Sequence, residues 1–413
     1  MNNPTIPFFH SNHFKIQLFE VSMDKFTLRK NTTASDEHLK SLIGQREIGV
    51  ANYRMLTDPD PHLWKKTIQP SSLDLRLGKI GWLMDGSVRP MKNETIERLV
   101  QEYGIKEINL ENGADFVQGK TYIASLQETA DIPHFAHLRS NPKSSTGRND
   151  AQARLLTDKN PHYESIAGPY TGKMYLEIVP NSFDLILRTG DALNQIRYSV
   201  GNPIMTDDEI YSVLMNLNSP VICTKEGTPL RANRVKIDSG IVLTADLDGE
   251  HTNSKIIAYR AKKGCQQPVD FQGVGTHPLS KYFDAIEKPK NQELKLEPGY
   301  FYLLSTNEAV CLPPAYAAEL SQFDHRAGNV TWHYAGFFDP GWGYFPDEEK
   351  QGNTITLEVR VHNKAEIIRH EQPIGVMKME RMSGIPLFPY GQGRGSNYSR
   401  QIGVRYGKHF SDK

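Results

Sequence analysis

One strand-and-turn pattern occurs twice in this 413-residue chain, about 180 positions apart. Residues 119–133 read GKTYIASLQETADIP and residues 299–313 read GYFYLLSTNEAVCLP. The glycine, the tyrosine three residues on, the serine, the glutamate and the proline coincide without a gap. Downstream, Glu177 in YLEIVP lies 44 residues past Pro133, and Glu358 in TLEVRV lies 45 past Pro313. Upstream, PSSLDLRLG around Asp74 has an echo in LTADLDG around Asp246. Short periods of about 20–50 residues mark solenoids. A period near 180 is the length of a whole domain, so the chain reads as two domain-sized copies.

Within each copy the apolar residues come in short β-type runs, such as DLRLGKIGWLM, KTYIASL, KMYLEIV and FDLILR, separated by Gly, Pro, Asn and Asp. This predicts a mainly β chain of barrel or sandwich modules with few helices. Asn93 is placed to cap a helix over NETIERLVQEYG. Thr206 and Glu209 stand in capping-box register before TDDEIYSVLMNLN, and Ser35 can cap a short helix over SDEHLKSLIGQ. The expected division is an N-terminal extension (1–60), a first module (61–200), a helical linker (201–218), a second module (219–390) and a C-terminal arm (391–413). The arm reads as too polar to form core, and hence as mobile.

Lys plus Arg and Asp plus Glu both number 48, so no global basic field marks a nucleic-acid binder, and a polyanionic ligand must meet a local cluster. The three cysteines, Cys223, Cys265 and Cys311, form no C-x-x-C pair, which argues against a disulfide scaffold and a cysteine zinc site. No run approaches the ~18 apolar residues of a membrane span. These features lead us to expect a soluble, cytoplasmic protein with no membrane or nucleic-acid partner.

Four pieces of the first copy then fall in order: IQPSSLDLRLG (68–78), KSSTGR (143–148), YTGKMYLEI (170–178) and RTGDALNQIR (188–197). The second copy carries HYAGFFDPGWG (333–343), with Ala335 and Gly336 ahead of Asp339, and ends in YGQGRGSNYSRQ. Together these motifs resemble the dUTPase and dCTP deaminase superfamily, and in particular the long, two-module dCTP deaminases of bacteria, over residues 60–413. The resemblance implies tandem dUTPase-like (β-clip) modules and a small-molecule nucleotide substrate, dCTP. It implies no catalytic cofactor or metal, Mg²⁺ arriving on the triphosphate. It also implies a homo-oligomer, trimeric or pseudo-hexameric, with modules around a threefold or pseudo-threefold axis.

The residue types suit that chemistry. Lys143, Ser144, Ser145 and Arg148 offer hydroxyls and cations on a tight turn, as a triphosphate needs, although such a turn standing alone is ordinary surface. Hydrolytic deamination needs a group that moves protons between water, ring and amine, and a strand carboxylate among apolar neighbours suits this. Glu358 and Glu177 both qualify. Asp339 can accept a deoxyribose hydroxyl while Trp342 packs on sugar or base. Gln195 belongs to the resembled G-x-x-L-x-Q motif. Tyr390, Asn397, Tyr398 and Gln401, with Arg394 and Arg400 interleaved, form the arm expected to close over the nucleotide. The zinc deaminase design begins with H-x-E, which His162-Tyr163-Glu164 matches, but no cysteine pair follows.

The two copies lack complementary parts. The first keeps KSSTGR but has IAGPYTG where the sugar loop should carry an aspartate. The second keeps FFDPGWG but has SQFDHRAG in place of the serine pair. In trimeric relatives those two parts of a site come from different subunits, which implies a single composite site joining Lys143, Ser144, Ser145 and Arg148 to Asp339, Trp342 and Glu358. Glu358 is the expected shuttle, Glu177 the reserve, and Arg326 a second choice for the arginine. Deamination of dCTP to dUTP and ammonia leads. A dUTPase, or a bifunctional enzyme releasing pyrophosphate, is the alternative, followed by a non-catalytic nucleotide binder.

Overall fold

The computed structural model describes residues 28–50, 64–216, 219–249, 255–322, 330–333, 336–346, 348, 351–393 and 396–412. The first half is built on a ten-stranded sheet. Its central path runs Ala151–Thr157, Tyr170–Pro180, Thr121–Ile132, Leu73–Met84, Ala192–Val200, Ala136–Pro142 and Ser165–Ala167. The second half divides the corresponding strands between a six-stranded sheet around Phe301–Val310 and Asn353–Val361 and a four-stranded sheet around Pro373–Arg381 and Tyr316–Gln322.

The repeat is visible bond by bond. The Gly119 amide donates to Pro180 O and the Gly299 amide to Val361 O, both at 2.7 Å. The Tyr122 hydroxyl accepts from the Val117 amide and the Tyr302 hydroxyl from the Glu297 amide, both at 2.9 Å. Glu177 stands opposite Ile123 and Glu358 opposite Leu303, one repeat apart. One echo is corrected. Glu128 takes up the Arg76 amide and side chain, while Glu308 takes up the Thr244 amide and hydroxyl. Arg76 therefore corresponds to Thr244, and Asp74 to Val242 rather than to Asp246. The LTADLDG likeness is four residues out of register, because pairing is decided by which side chains meet across the strands rather than by local similarity.

The helix Asp207–Leu214 has the expected capping box, with Thr206 and Glu209 exchanging backbone and side-chain bonds. The helix Ile96–Tyr103 begins two residues later than expected. Thr95, not Asn93, caps it, accepting the Arg98 amide at 3.2 Å. Ser35 does precede the helix Asp36–Gly44, but its hydroxyl bonds His38 Nδ1 at 2.7 Å instead of the backbone.

Both chain ends depart from the peripheral role expected of them. The described part of the N-terminal segment buries Ala34, Leu39, Leu42, Ile43 and Ile48 in the first core. At the other end, Tyr398, Gln401, His409 and Phe410 are all buried. Polar composition hid this because the buried polar groups find partners: His409 bonds Asn149 at 2.8 Å and Phe271 O at 3.1 Å. Phe410 closes an aromatic cluster with Phe183, Tyr282 and Phe283 at centroid distances of 6.0, 5.2 and 5.2 Å. The first core thus contains side chains from both halves.

Between the halves lies a buried ionic network. Arg139 reaches Glu319 (2.7 Å) and Glu380 (2.6 Å), and Arg197 reaches Glu380 (3.2 Å). Burial pushes the Glu380 carboxyl up, but the charges of Arg197 and Arg139 outweigh it and hold it below the usual glutamate value.

Removing the Phe410 ring should leave a cavity costing about 3–5 kcal/mol. Phe410→Ala is expected to lower the urea midpoint with an unchanged slope, and truncation after Pro389 to lower it at least as far. An unchanged midpoint in the truncated chain would show that the arm is only a tail.

Candidate active site

A cleft of about 1050 Å³ opens where the halves meet, lined by Lys143, Ser144, Ser145 and Gln195 from the first and by Phe337, Asp339, Trp342 and Tyr390 from the second. KSSTGR forms a single helical turn, Ser144–Gly147, with Lys143 at its start. It is pinned to the strand Ala192–Val200, since the Lys143 amide and the Thr146 hydroxyl both bond Leu193 O, at 2.9 and 2.8 Å. Lys143 is ion-paired with Asp74. Burial pushes the Asp74 carboxyl up, and Lys143 opposes that shift. Gln195 is buried and accepts the Ser72 hydroxyl at 3.1 Å.

Across the cleft, Asp339 sits on the turn after the strand Phe337–Phe338. Its Oδ1 accepts the Ser71 hydroxyl at 2.6 Å and lies 3.8 Å from Arg197 Nη2. Arg197 also donates to Phe338 O at 2.9 Å, so the first half holds the second half's aspartate by backbone and side chain together. Gly341 (φ +95°) lets the chain turn here. A Cβ at this position would stand 2.8 Å from the Tyr390 amide. Trp342 packs against Phe338 and Tyr390 at centroid distances of 5.5 and 4.9 Å.

Behind this cleft lie Arg148 and Glu358. Arg148 Nε is 4.0 Å from Glu358 Oε1, beyond hydrogen-bond reach, and has no hydrogen-bond partner among the described residues. Its two other nitrogens donate to Arg405 O and Gln401 Oε1, both at 3.1 Å. Gln401 is held by Thr354 O and Thr356 Oγ1. The guanidinium lies 3.8 Å from the ring centre of Tyr398, and the Tyr398 hydroxyl meets Ser145 at 3.1 Å. Tyr398 lines the cleft whereas Arg148 and Glu358 do not, so this ring is the layer between them. Burial pushes the Glu358 carboxyl up to about 8, against the pull of Arg148.

Glu177 is elsewhere. It is buried and bonded to Ser87 (2.6 Å) and Tyr163 (2.9 Å), and it does not line the cleft. The counterpart of Asp339 in its half is Ala167, because Phe338 pairs with Ala318 as Ile166 pairs with Leu138. Asn397 lines the cleft, but Arg400 is held by Glu348 in a separate hollow. Ala335, Arg326, Arg394 and most of SQFDHRAG lie outside the described residues. Sequence reasoning passed over Asp191, Phe271, Gln272 and Lys408 as part of this cleft, and of these only Asp191 fell inside a recognised motif; it also passed over Ser71, the buried partner of Asp339.

Asp246, Asp248 and His370 come close enough together to suggest a cation site. Lys225 already places its ammonium 3.0 Å from both carboxylates, so a cation stands there without a metal.

Residues 37–202 match the family model of the 2'-deoxycytidine 5'-triphosphate deaminase (DCD) N-terminal domain, and residues 222–410 that of the C-terminal domain. The solved structure of 2'-deoxycytidine 5'-triphosphate deaminase from Agrobacterium tumefaciens superposes with a TM-score of 0.76 at 32% identity. That match covers 85% of this chain and 99% of the other. Two curated relatives, each named "dCTP deaminase, dUMP-forming", come from Streptomyces avermitilis (34% identical over 128 residues) and Pseudarthrobacter chlorophenolicus (35% over 121). These alignments span 30% and 29% of this chain and 63% and 59% of the relatives, less than two thirds of their length.

The raised Glu358 pKa has a stability consequence. A carboxyl whose folded pKa exceeds its unfolded value favours folding fully below the unfolded value of about 4.5, and loses that contribution as pH rises through about 8. Glu358→Gln carries no such titration. Urea denaturation should find the variant gaining on the parent between pH 5 and pH 9, and parallel pH profiles would contradict the burial of this charge.

Proposed function

The chain belongs to the dCTP deaminase family, and from that premise we propose that it hydrolyses dCTP to dUTP and ammonia, with Glu358 as the proton shuttle. The observation that carries this reading is the pairing of a buried glutamate on one half with a buried arginine on the other, directly behind a cleft that has a basic serine turn on one wall and Asp339 on the opposite one.

The substrate is dCTP with its Mg²⁺. Its phosphates take Lys143, Ser144 and Ser145, its deoxyribose hydroxyl takes Asp339, and Trp342 and Tyr390 flank sugar and base. Gln195, bonded to Ser72, supports the wall between sugar and phosphates, and Gln401 orients Arg148. The Tyr398 ring swings aside to admit the pyrimidine to Glu358, then covers it and excludes water, while the anchored residues 407–410 stay in place.

A carboxyl protonated at rest suits the chemistry. Glu358 gives its proton to ring N3, and the carboxylate then takes one from the water whose oxygen bonds to C4. In the tetrahedral intermediate it passes that proton to the amine and recovers one from the new hydroxyl as ammonia leaves. The carboxyl ends as it began. Arg148 and Ser144 stabilise charge developing at C4 and orient the water.

A second reading, dUMP formation by further loss of pyrophosphate, is favoured by the names of the two curated relatives. Ammonia and pyrophosphate measured together from dCTP separate the two. Ammonia alone is expected, and stoichiometric pyrophosphate establishes the second reading. Binding without either product would make the chain a nucleotide binder only. Glu358→Gln should lower kcat by about 10²–10⁴, the usual worth of a general acid–base group, while Glu177→Gln stays near the parent. The opposite pattern would transfer the role to Glu177.

A further inference from the structure

We propose that Lys408, from the far end of the chain, is a phosphate-binding residue of this cleft, acting beside Lys143 on the phosphate chain of the nucleotide. The proposal rests on the functional reading above and adds a cation that no recognised motif contains.

Four lysines line the cleft: Lys65, Lys66, Lys143 and Lys408. Lys143 is tied to Asp74, and Lys65 donates to Gly393 O at 2.7 Å. Lys66 is exposed to water, which satisfies it. Lys408 is different. It is half-buried, yet among the described residues its ammonium has neither a carboxylate within 4.0 Å nor a hydrogen-bond acceptor, and only the Phe271 ring lies near, at 5.7 Å. An ammonium that is partly desolvated and has no carboxylate in contact is less favourable than a paired one. Burial and the neighbouring charge of Lys143 both pull its pKa down, and Asp191 and Asp74 only partly offset them. An anion placed between Lys143 and Lys408 would remove both penalties.

The residue is also held rigidly. Gly275 donates to Lys408 O at 2.9 Å, and the Lys408 amide donates to the Tyr398 hydroxyl at 3.2 Å. The next residue, His409, is locked by Asn149 and Phe271, and Phe410 is core. The Tyr398 hydroxyl in turn meets Ser145 of the serine turn, so Lys408 and that turn share one ring as a spacer. Phosphate sites commonly combine such a turn with cations brought from elsewhere in the chain.

The test compares the parent with Lys408→Gln and Lys408→Arg. Lys408→Gln should raise KM for dCTP about tenfold or more, the worth of one charge-assisted contact, with kcat within about twofold. It should weaken binding of inorganic tripolyphosphate similarly while leaving deoxycytidine binding and thermal melting unchanged. Lys408→Arg should restore most of the loss, and this variant together with the salt dependence of tripolyphosphate binding decides the matter should the glutamine variant fold poorly. Unchanged KM and tripolyphosphate affinity in Lys408→Gln overturn the proposal while the deaminase reading stands. A parent that binds neither dCTP nor tripolyphosphate overturns both.

Discussion

Arg197 has no exposed side-chain surface, and its guanidinium leaves the first half to bind the second. It donates to Ala318 O and Phe338 O at 2.9 Å each, pairs with Glu380, and lies 4.0 Å from the ring centre of Phe337. Each of these partners belongs to the strands that carry Asp339 into the cleft. Breaking a buried pair of this kind leaves an uncompensated charge and typically costs about 3–5 kcal/mol. The composite site therefore depends on a contact between halves, and the halves cannot separate without dismantling it.

The same network shows how the copies are related. Ala136–Pro142 and Tyr316–Gln322 occupy equivalent places 180 residues apart, which makes Glu319 the counterpart of Arg139. These two residues touch, at 2.7 Å. Residues in contact with their own counterparts must lie near the axis relating two copies. Identical copies would have set like charge against like there. The Arg–Glu pair instead sets opposite charges there.

Glu358 and Glu177 show how environment separates equivalent residues. Both are buried on equivalent strands, one repeat apart. Glu177 has its carboxylate bonded by two hydroxyls, of Ser87 and Tyr163. Glu358 has an arginine at 4.0 Å and otherwise burial, which lifts its pKa toward neutrality. A carboxyl lifted toward neutrality in this way is the kind of group general acid–base chemistry uses.

Much was legible in the chain itself. The 180-residue period, the β-type runs and the order of the motifs determined the family, the mainly β architecture and the complementary losses of the two halves, because these are local patterns or patterns of spacing. The Asp74 echo misled because strand register is settled by cross-strand partners, and Thr244 with Glu308 displaced it by four residues. The polar ends misled because hydrogen-bond partners distant in sequence, such as Asn149 for His409, allow polar segments into a core. The different surroundings of Glu358 and Glu177 and the place of Lys408 in the cleft wall are visible only in the tertiary structure. Burial, counter-charge and pKa are properties of an assembled surrounding, and no residue carries its surroundings in its own sequence.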